Sequence, residues 1–310
     1  MLDVRRLKVL REVATRGSFS AAAEALSFTQ SAISQHVAAL ERETGTQLVE
    51  RSSRGIRLTD AGQALVKHTD SILGRIDDAE EELAAIAGLR GGRLRLACFQ
   101  SAGATLVPRA VANFHERHPD VELSMIEIEE PEAVRAALKA GEIDLGFVYD
   151  FEPIPAAFDG ELDMTHLIDD PYDVIVPNGH RLAGKRSLTL AQLADEPWVA
   201  STSGCGCRQI TERACHDAGF KPNVAFECDE TLAAQALVAA GVGVTILPRL
   251  ALTTIHPGVA VRQLSRSTPV VRRIWAARDE GGYQSPASEA MVQILLDVAE
   301  EFRSATLEVA

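Results

Sequence analysis

The spacing of apolar residues changes once along this chain, at Gly91-Gly92, and that change limits the fold more than any other feature. Before it, apolar positions recur every three or four residues, as on helices. After it, short runs of strand length alternate with helical stretches. At 310 residues the chain is also too long for one small domain. The expectation is a mostly helical head, a long connecting helix and an α/β body with mostly parallel sheets.

In the head, Leu7, Leu10, Val13 and Ala14 share one face of a first helix that Gly17 ends. Ser18 or Ser20 can cap a second, alanine-rich helix whose small side chains allow close approach. Ser27 and Phe28 form a turn, and Thr29 can cap a third helix, QSAISQHVAALERE, with Ile33, Val37 and Leu40 as its buried stripe. Two short helices on a tight turn, the second polar outside, make a helix-turn-helix. Thr29, Gln30, Ser31, Ser34, Gln35 and His36 are then candidates for contact with double-stranded DNA. A major-groove helix presents the side chains of its start to base edges, and Gln matches the adenine edge.

Leu48-Val49 and Ile56-Arg57-Leu58 read as two short strands around SSRG. They would form a wing offering Arg51, Arg54 and Arg57 to phosphates or the minor groove. The alternative for both polar sets is plain solvated surface. Thr59 caps a helix expected to run to about Leu89. Along it Leu65, Ile72, Ile76, Ala79, Leu83 and Ile86 keep a 3–4 alternation, with Thr69 in the remaining slot. Such a heptad seam pairs with a second copy of itself.

Beyond Arg93, LRLACF, VELSMIEIEE, IDLGFVY, YDVIVP, WVAS, GVTILP and VVRRIWAA read as strands. TLVPRAVANFHERHP, TLAAQALVAAG and SPASEAMVQILLDVAEEF read as helices. Gly241-Val-Gly243 lacks the third glycine of a dinucleotide fingerprint, and His115 and His118 have no third ligand in sight, so neither implies a cofactor or a metal.

Charge follows the same division. Residues 1–67 hold ten Lys/Arg against seven Asp/Glu, a balance of +3, so the rest carries −16 of the net −13. Phosphates sense the local field, so an acidic chain with a basic head can still bind nucleic acid. No run reaches the ~18 apolar residues of a membrane span, and the start has no signal-peptide core. A cytoplasmic location is expected, where five Cys are free thiols, metal ligands or redox sensors rather than structural disulfides.

At this point the residues resemble a known family, the LysR-type transcriptional regulators. The resemblance is carried by Thr29-Gln30-Ser31-Ala32-Ile33-Ser34, Leu40-Glu41, Gly45, Leu48 and Arg51, and by Thr59-Asp60-Ala61-Gly62. GEIDLGFV, HRLAG, LADEPWV, CHDAGFKP and AAGVGVTILP follow in the family's order. The resemblance implies a winged helix-turn-helix over 1–58 and a dimerising linker helix and hinge over 59–91. It also implies a two-lobed periplasmic-binding-protein-like (type 2) effector domain over 92–310. Lobe I would take 92–163 and 270–310, and lobe II 164–269. A homodimer through the linker helix, commonly doubled to a homotetramer, is implied too. A small-molecule effector would lie between the lobes, with Gln100, Ser101, Ala102, Glu129, Tyr149, Ser201, Thr202 and Ser203 as candidates. Glu129, Glu130 and Asp150 could favour a cationic or metal-like effector, or simply be solvated loop charge.

Cys205, Cys207 and Cys215 are candidate redox residues, because a thiol at a helix start beside Arg208 is expected to have a lowered pKa. The segment resembles the family's peroxide-sensing branch: Cys215 sits before Asp217-Ala218-Gly219 at that spacing. Gly206 occupies the place of the first sensor Cys, flanked by Cys205 and Cys207. Eight helical residues hold Cys207 and Cys215 about 12 Å apart, above the ~7 Å limit for a disulfide unless the helix unwinds. The reading is a ligand-switched DNA-binding regulator, with oxidation of the thiols as the alternative switch. A transporter's solute-binding protein would leave residues 1–90 unexplained. An enzyme would need a nucleophile with a paired base, which the sequence does not offer.

Overall fold

Caps decide where the head's helices begin and end. In the computed structural model, which describes residues 1–52, 55–86, 92–151, 160–265 and 269–309, α1 spans Val4–Arg16, α2 Phe19–Ala25 and α3 Gln30–Thr44. Asp3, Ser18 and Thr29 cap their starts through side-chain oxygens, and Gly17 and Gly45 close α1 and α3 in the left-handed conformation. Leu7, Leu10, Val13, Ala22, Ile33, Val37, Leu40 and Leu48 form one core. β1 (Val49–Ser52) and β2 (Gly55–Leu58) pair antiparallel, with Arg51 opposite Ile56 and Glu50 opposite Arg57.

The sequence landmarks of this head have physical reasons. The Glu41 carboxylate accepts the N–H groups of Leu48 (2.9 Å) and Val49 (3.3 Å), tying α3 to the wing. Thr59 donates to the Gln47 carbonyl (2.7 Å) and accepts the Gly62 N–H (3.0 Å), capping α4, Asp60–Ile86. At Gly62 a Cβ would lie 2.0 Å from the Leu48 carbonyl oxygen, so only glycine lets α4 cross the wing there.

The 3–4 seam of α4 is divided between partners. Leu65 and Ile72 pack on the head's core, and Thr69 is fully buried, donating to the Leu65 carbonyl. Ala79 and Leu83 are exposed, Leu83 at 66%. The other side of α4 lies against the body. A Cβ at Gly74 would meet the Ala140 carbonyl oxygen at 2.6 Å and the Gly141 Cα at 2.7 Å. Beside that contact Arg75 reaches Asp279 (2.6 Å), which also holds Lys139 (2.7 Å), and Arg93 reaches Asp77 (2.7 Å).

The body begins with β3 (Gly92–Cys98), α5 (Gln100–Gly103), α6 (Leu106–Arg117), β4 (Val121–Glu127), α7 (Pro131–Ala140) and β5 (Leu145–Phe151). It continues through β6 (Leu162–Pro177), β7 (Ser187–Leu188), β8 (Pro197–Ala200), α8 (Gly206–Asp217), β9 (Asn223–Glu227) and α9 (Thr231–Ala239). β10 (Thr245–Pro248), β11 (Val259–Leu264), β12 (Val271–Asp279) and α10 (Pro286–Val309) complete it. β3 lies parallel to β4 and β5, and β8 parallel to β9.

The expected mostly parallel sheet is corrected here to a mixed one. β6 pairs antiparallel with β12 along 162–171 and with β10 and β11 along 172–177. One 16-residue strand therefore runs through both halves of the body, and β11 followed by β12 retraces it. Two passes that carry a chain out and back along one line must run antiparallel. No described helix is long and apolar enough to cross a membrane.

Candidate functional site

Two places gather the polar residues singled out by sequence. The first is the outer face of α3. Its buried stripe, Ile33, Val37 and Leu40, fixes the opposite face outward. Gln30, Ser31 and Gln35 are exposed, and Ser34 and His36 are half-buried. Thr29 spends its hydroxyl on the cap, accepting the Ala32 N–H (3.2 Å) and bonding the Ser31 hydroxyl (3.0 Å). His36 rests on Phe28, with ring centroids 5.7 Å apart, and Phe28 is itself 49% exposed. Sequence reading placed Phe28 in the turn without a role; a large exposed aromatic in a turn is the signal that marked it. Arg57 is exposed on β2. Arg54 and the side chain of Arg51 lie outside the described residues.

The second place is a cavity of about 80 Å³ where β6 and β12 pass between the halves of the body. Of the candidate effector residues, Gln100, Ser101, Glu129 and Ser201 line it, whereas Ala102, Tyr149, Thr202 and Ser203 do not. Ala102 is buried in the core, Thr202 and Ser203 are exposed, and Tyr149 stands behind the wall, edge-on to Phe99. Sequence reading missed Tyr172, Asp229, Thr231 and Arg272, which line the cavity too. Asp229-Glu230-Thr231 ahead of an alanine-rich helix was a legible cap signal. Nothing local marks Arg272.

Arg272 organises the cavity floor. Its guanidinium, 4% exposed, donates to Asp170 (2.7 and 3.2 Å) and to the Ser101 hydroxyl (2.8 Å). It lies 4.7 Å from the Phe99 ring centre and 5.3 Å from that of Tyr149. A charge this deep requires a partner, and Asp170, 2% exposed, supplies it and also takes the Leu250 N–H (3.0 Å). Burial drives the Asp170 carboxyl up, against the opposing pull of Arg272.

Glu129 accepts the Gln100 N–H at 2.6 Å. Desolvation of its carboxyl, then Glu127 and Glu130, raise its pKa, against the Gln100 N–H and Arg272. The residue as a whole stays exposed, and solvent screens these charges.

The thiols are spread over different environments. Cys207 lines the cavity, with its sulfur 3.9 Å from the Tyr149 hydroxyl and 3.8 Å from that of Tyr172. Cys205 caps α8, its sulfur accepting the Arg208 N–H at 3.3 Å. The expected lowering of its pKa is overturned: burial pushes the Cys205 thiol up. The Arg208 guanidinium is committed to Glu212 (2.7 Å) and Glu227 (3.0 Å). Cys215 is fully buried and its thiol is pushed up to about 12, first by burial and then by Glu212. Cys207 and Cys215 both stand in the continuous helix α8. No group of three or more His, Cys, Asp or Glu suited to a metal occurs among the described residues.

The family described as bacterial regulatory helix-turn-helix protein, lysR family, matches residues 4–63, and the LysR substrate binding domain matches 87–300. A relative in Synechococcus elongatus, the probable HTH-type transcriptional regulator LrrA, is 34% identical over 98% of this chain and 99% of its own length. A probable hydrogen peroxide-inducible genes activator of Mycobacterium avium is 34% identical over 79% of this chain and 78% of its own. In structure, full-length CbnR bound to its target DNA superposes with a TM-score of 0.73 at 23% identity, covering 96% of this chain and 100% of that one. At that identity the likeness shows the fold alone.

Proposed function

Because this chain belongs to the LysR family of bacterial transcriptional regulators, we propose that it binds a specific DNA site through α3 and the wing and is switched by a small molecule in the cavity of the body. One observation carries the reading: the polar start of α3 is turned outward by the buried stripe on its other side. Gln30, Ser31, Ser34, Gln35 and His36 would read base edges, with Thr29 holding the helix start, and Arg51, Arg54 and Arg57 would contact backbone or minor groove. The protein would act in the cytoplasm as a homo-oligomer. Ala79 and Leu83 of α4 are the exposed part of the seam that a second copy would cover.

The switch rests on the position of the cavity. Arg272 and Asp170 sit on the strands common to both halves, and the cavity draws its lining from both sides of that passage. The proposed division puts 92–163 and 270–310 in one lobe and 164–269 in the other. A molecule that binds one lobe arrangement better than another shifts the equilibrium between them by that difference in affinity.

The test is fluorescence anisotropy on DNA selected from the source genome, across a salt series. Gln30→Ala should flatten discrimination between the selected site and its variants. Selection that enriches no sequence would end the reading. A second reading makes oxidation of Cys207 the signal, with Cys205 or Cys215 as partner; it is supported by the place of Cys207 in the cavity. It predicts a mass increase at Cys207 at low peroxide, and a DNA-binding change that dithiothreitol reverses and Cys207→Ser removes.

A further inference from the structure

Anions are held in such cavities by helix-start N–H groups and by cations. Around this cavity several of those donors are already taken by the chain's own groups. The Gln100 N–H at the start of α5 goes to Glu129, and the Thr202 N–H and hydroxyl go to Asp229 (2.8 and 2.7 Å). Glu230 takes the Leu232 and Ala233 N–H groups of α9, and Cys205 the Arg208 N–H of α8. Of the nearby guanidiniums, Arg272 is held by Asp170, Arg249 by Asp173, and Arg208 by Glu212 and Glu227. At these donors an entering anion would have to displace a carboxylate of the chain or the Cys205 sulfur.

The acceptors stand differently. Glu129 and Asp229 both line the cavity, and Oε2 of Glu129 accepts no hydrogen bond among the described residues. The lining therefore carries two carboxylates against one guanidinium, which Asp170 already neutralises. Ala200, Ile246 and Pro248 add apolar wall. At about 80 Å³ the space is smaller than the ~150 Å³ that encloses a benzene ring.

We propose that the effector is a small organic cation, whose ammonium or amidinium group is held by Glu129 and Asp229 while its few carbons lie on the apolar wall. This rests on reading the cavity as the effector site. The sign of the charge follows from the lining, two carboxylates against one guanidinium that Asp170 neutralises.

The experiment is thermal unfolding of the full chain with millimolar ethylammonium and 1,2-diaminoethane, against acetate and oxalate at equal ionic strength. The amines should raise the unfolding temperature and the carboxylates should not. Glu129→Gln should weaken the amine effect on the order of tenfold, the loss of one charge-assisted hydrogen bond. Ala251→Leu, which fills the cavity from a half-buried position, should abolish it, with Ser201→Leu as the second blocking variant if the first folds poorly. Stabilisation by the carboxylates alone, lost in the blocked variants, would overturn the cationic class and leave the cavity standing as the site. An amine effect that survives blocking would place the ligand elsewhere and end both readings. No effect from any of the four would overturn the cationic class.

Discussion

The start of α3 and the helix starts around the cavity use one piece of physics in opposite ways. α3 has a neutral cap, Thr29, no acid in its first turn, and exposed Gln30 and Ser31. Its positive end is left facing outward, which suits a phosphate backbone. α5 and α9 meet the carboxylates of Glu129 and Glu230 instead. A helix start is an anion site only if the chain leaves it open. One region of this protein turns it outward with a neutral cap, and the other meets it with the chain's own carboxylates.

The largest expected effect breaks the closed region. Asp170→Ala leaves Arg272 buried without its partner and should cost about 3–5 kcal/mol in urea unfolding of the body. The head should keep its own stability. A loss below about 1 kcal/mol, the scale of an exposed ion pair, would mean that water reaches Arg272 and that the floor is not closed.

Next comes the contact that joins the regions. Gly74→Val forces a side chain into the Ala140 carbonyl and the Gly141 backbone, at a cost of about 1–3 kcal/mol. Small-angle scattering should show α4 leaving the body, and hydrogen exchange in α7 should rise. Unchanged scattering and exchange would show that α4 does not rest on α7 in solution.

In the open region, Gln30→Ala should lose about 1–3 kcal/mol of discrimination between the selected site and a single-base variant. A uniform loss on all sequences would assign Gln30 to the backbone instead. Thr29→Ala removes the cap of α3 and should cost about 1 kcal/mol of head stability, read by circular dichroism of the thermal transition.

The smallest effect tests the sign of charge at the cavity. The Glu129 carboxyl is raised in the folded chain, so the folded state holds that proton more tightly than the unfolded one. Its favourable contribution is present below the ordinary glutamate pKa and disappears as pH rises through the raised value. Glu129→Gln should therefore raise the unfolding temperature slightly at neutral pH, and the difference should vanish as pH falls below the ordinary glutamate range. A difference independent of pH would remove charge as its cause.

Much of the head was legible because its determinants are local. Ser18 and Thr29 cap where their spacing to the apolar stripes says they must, and Gly17 and Gly45 end helices at the positions the periodicity gives. The seam of α4 was legible as a pattern, yet its partners were not. Leu65 and Ile72 face the chain's own head, and periodicity carries no information on what covers a stripe.

The cavity divides in the same way. Gln100, Ser101, Glu129 and Ser201 lie at strand ends that precede helices, and strand ends can be read from the sequence. Tyr172 and Arg272 sit inside strands whose pairing joins residues about a hundred positions apart, as Asp170 and Arg272 are.

By itself, then, the sequence determined the helix-turn-helix, the long helix, the α/β alternation of the body and the family, because periods, caps and turn residues act over a few positions. Only the tertiary structure decided that β6 and β11–β12 run antiparallel through both halves. It also decided that Gly74 and Gly141 touch and that Asp170 neutralises Arg272. Burial, too, pushes the Cys205 thiol up, against the lowering its helix position suggested. Pairing, desolvation and charge compensation depend on which distant segments meet, and a one-dimensional pattern does not state that.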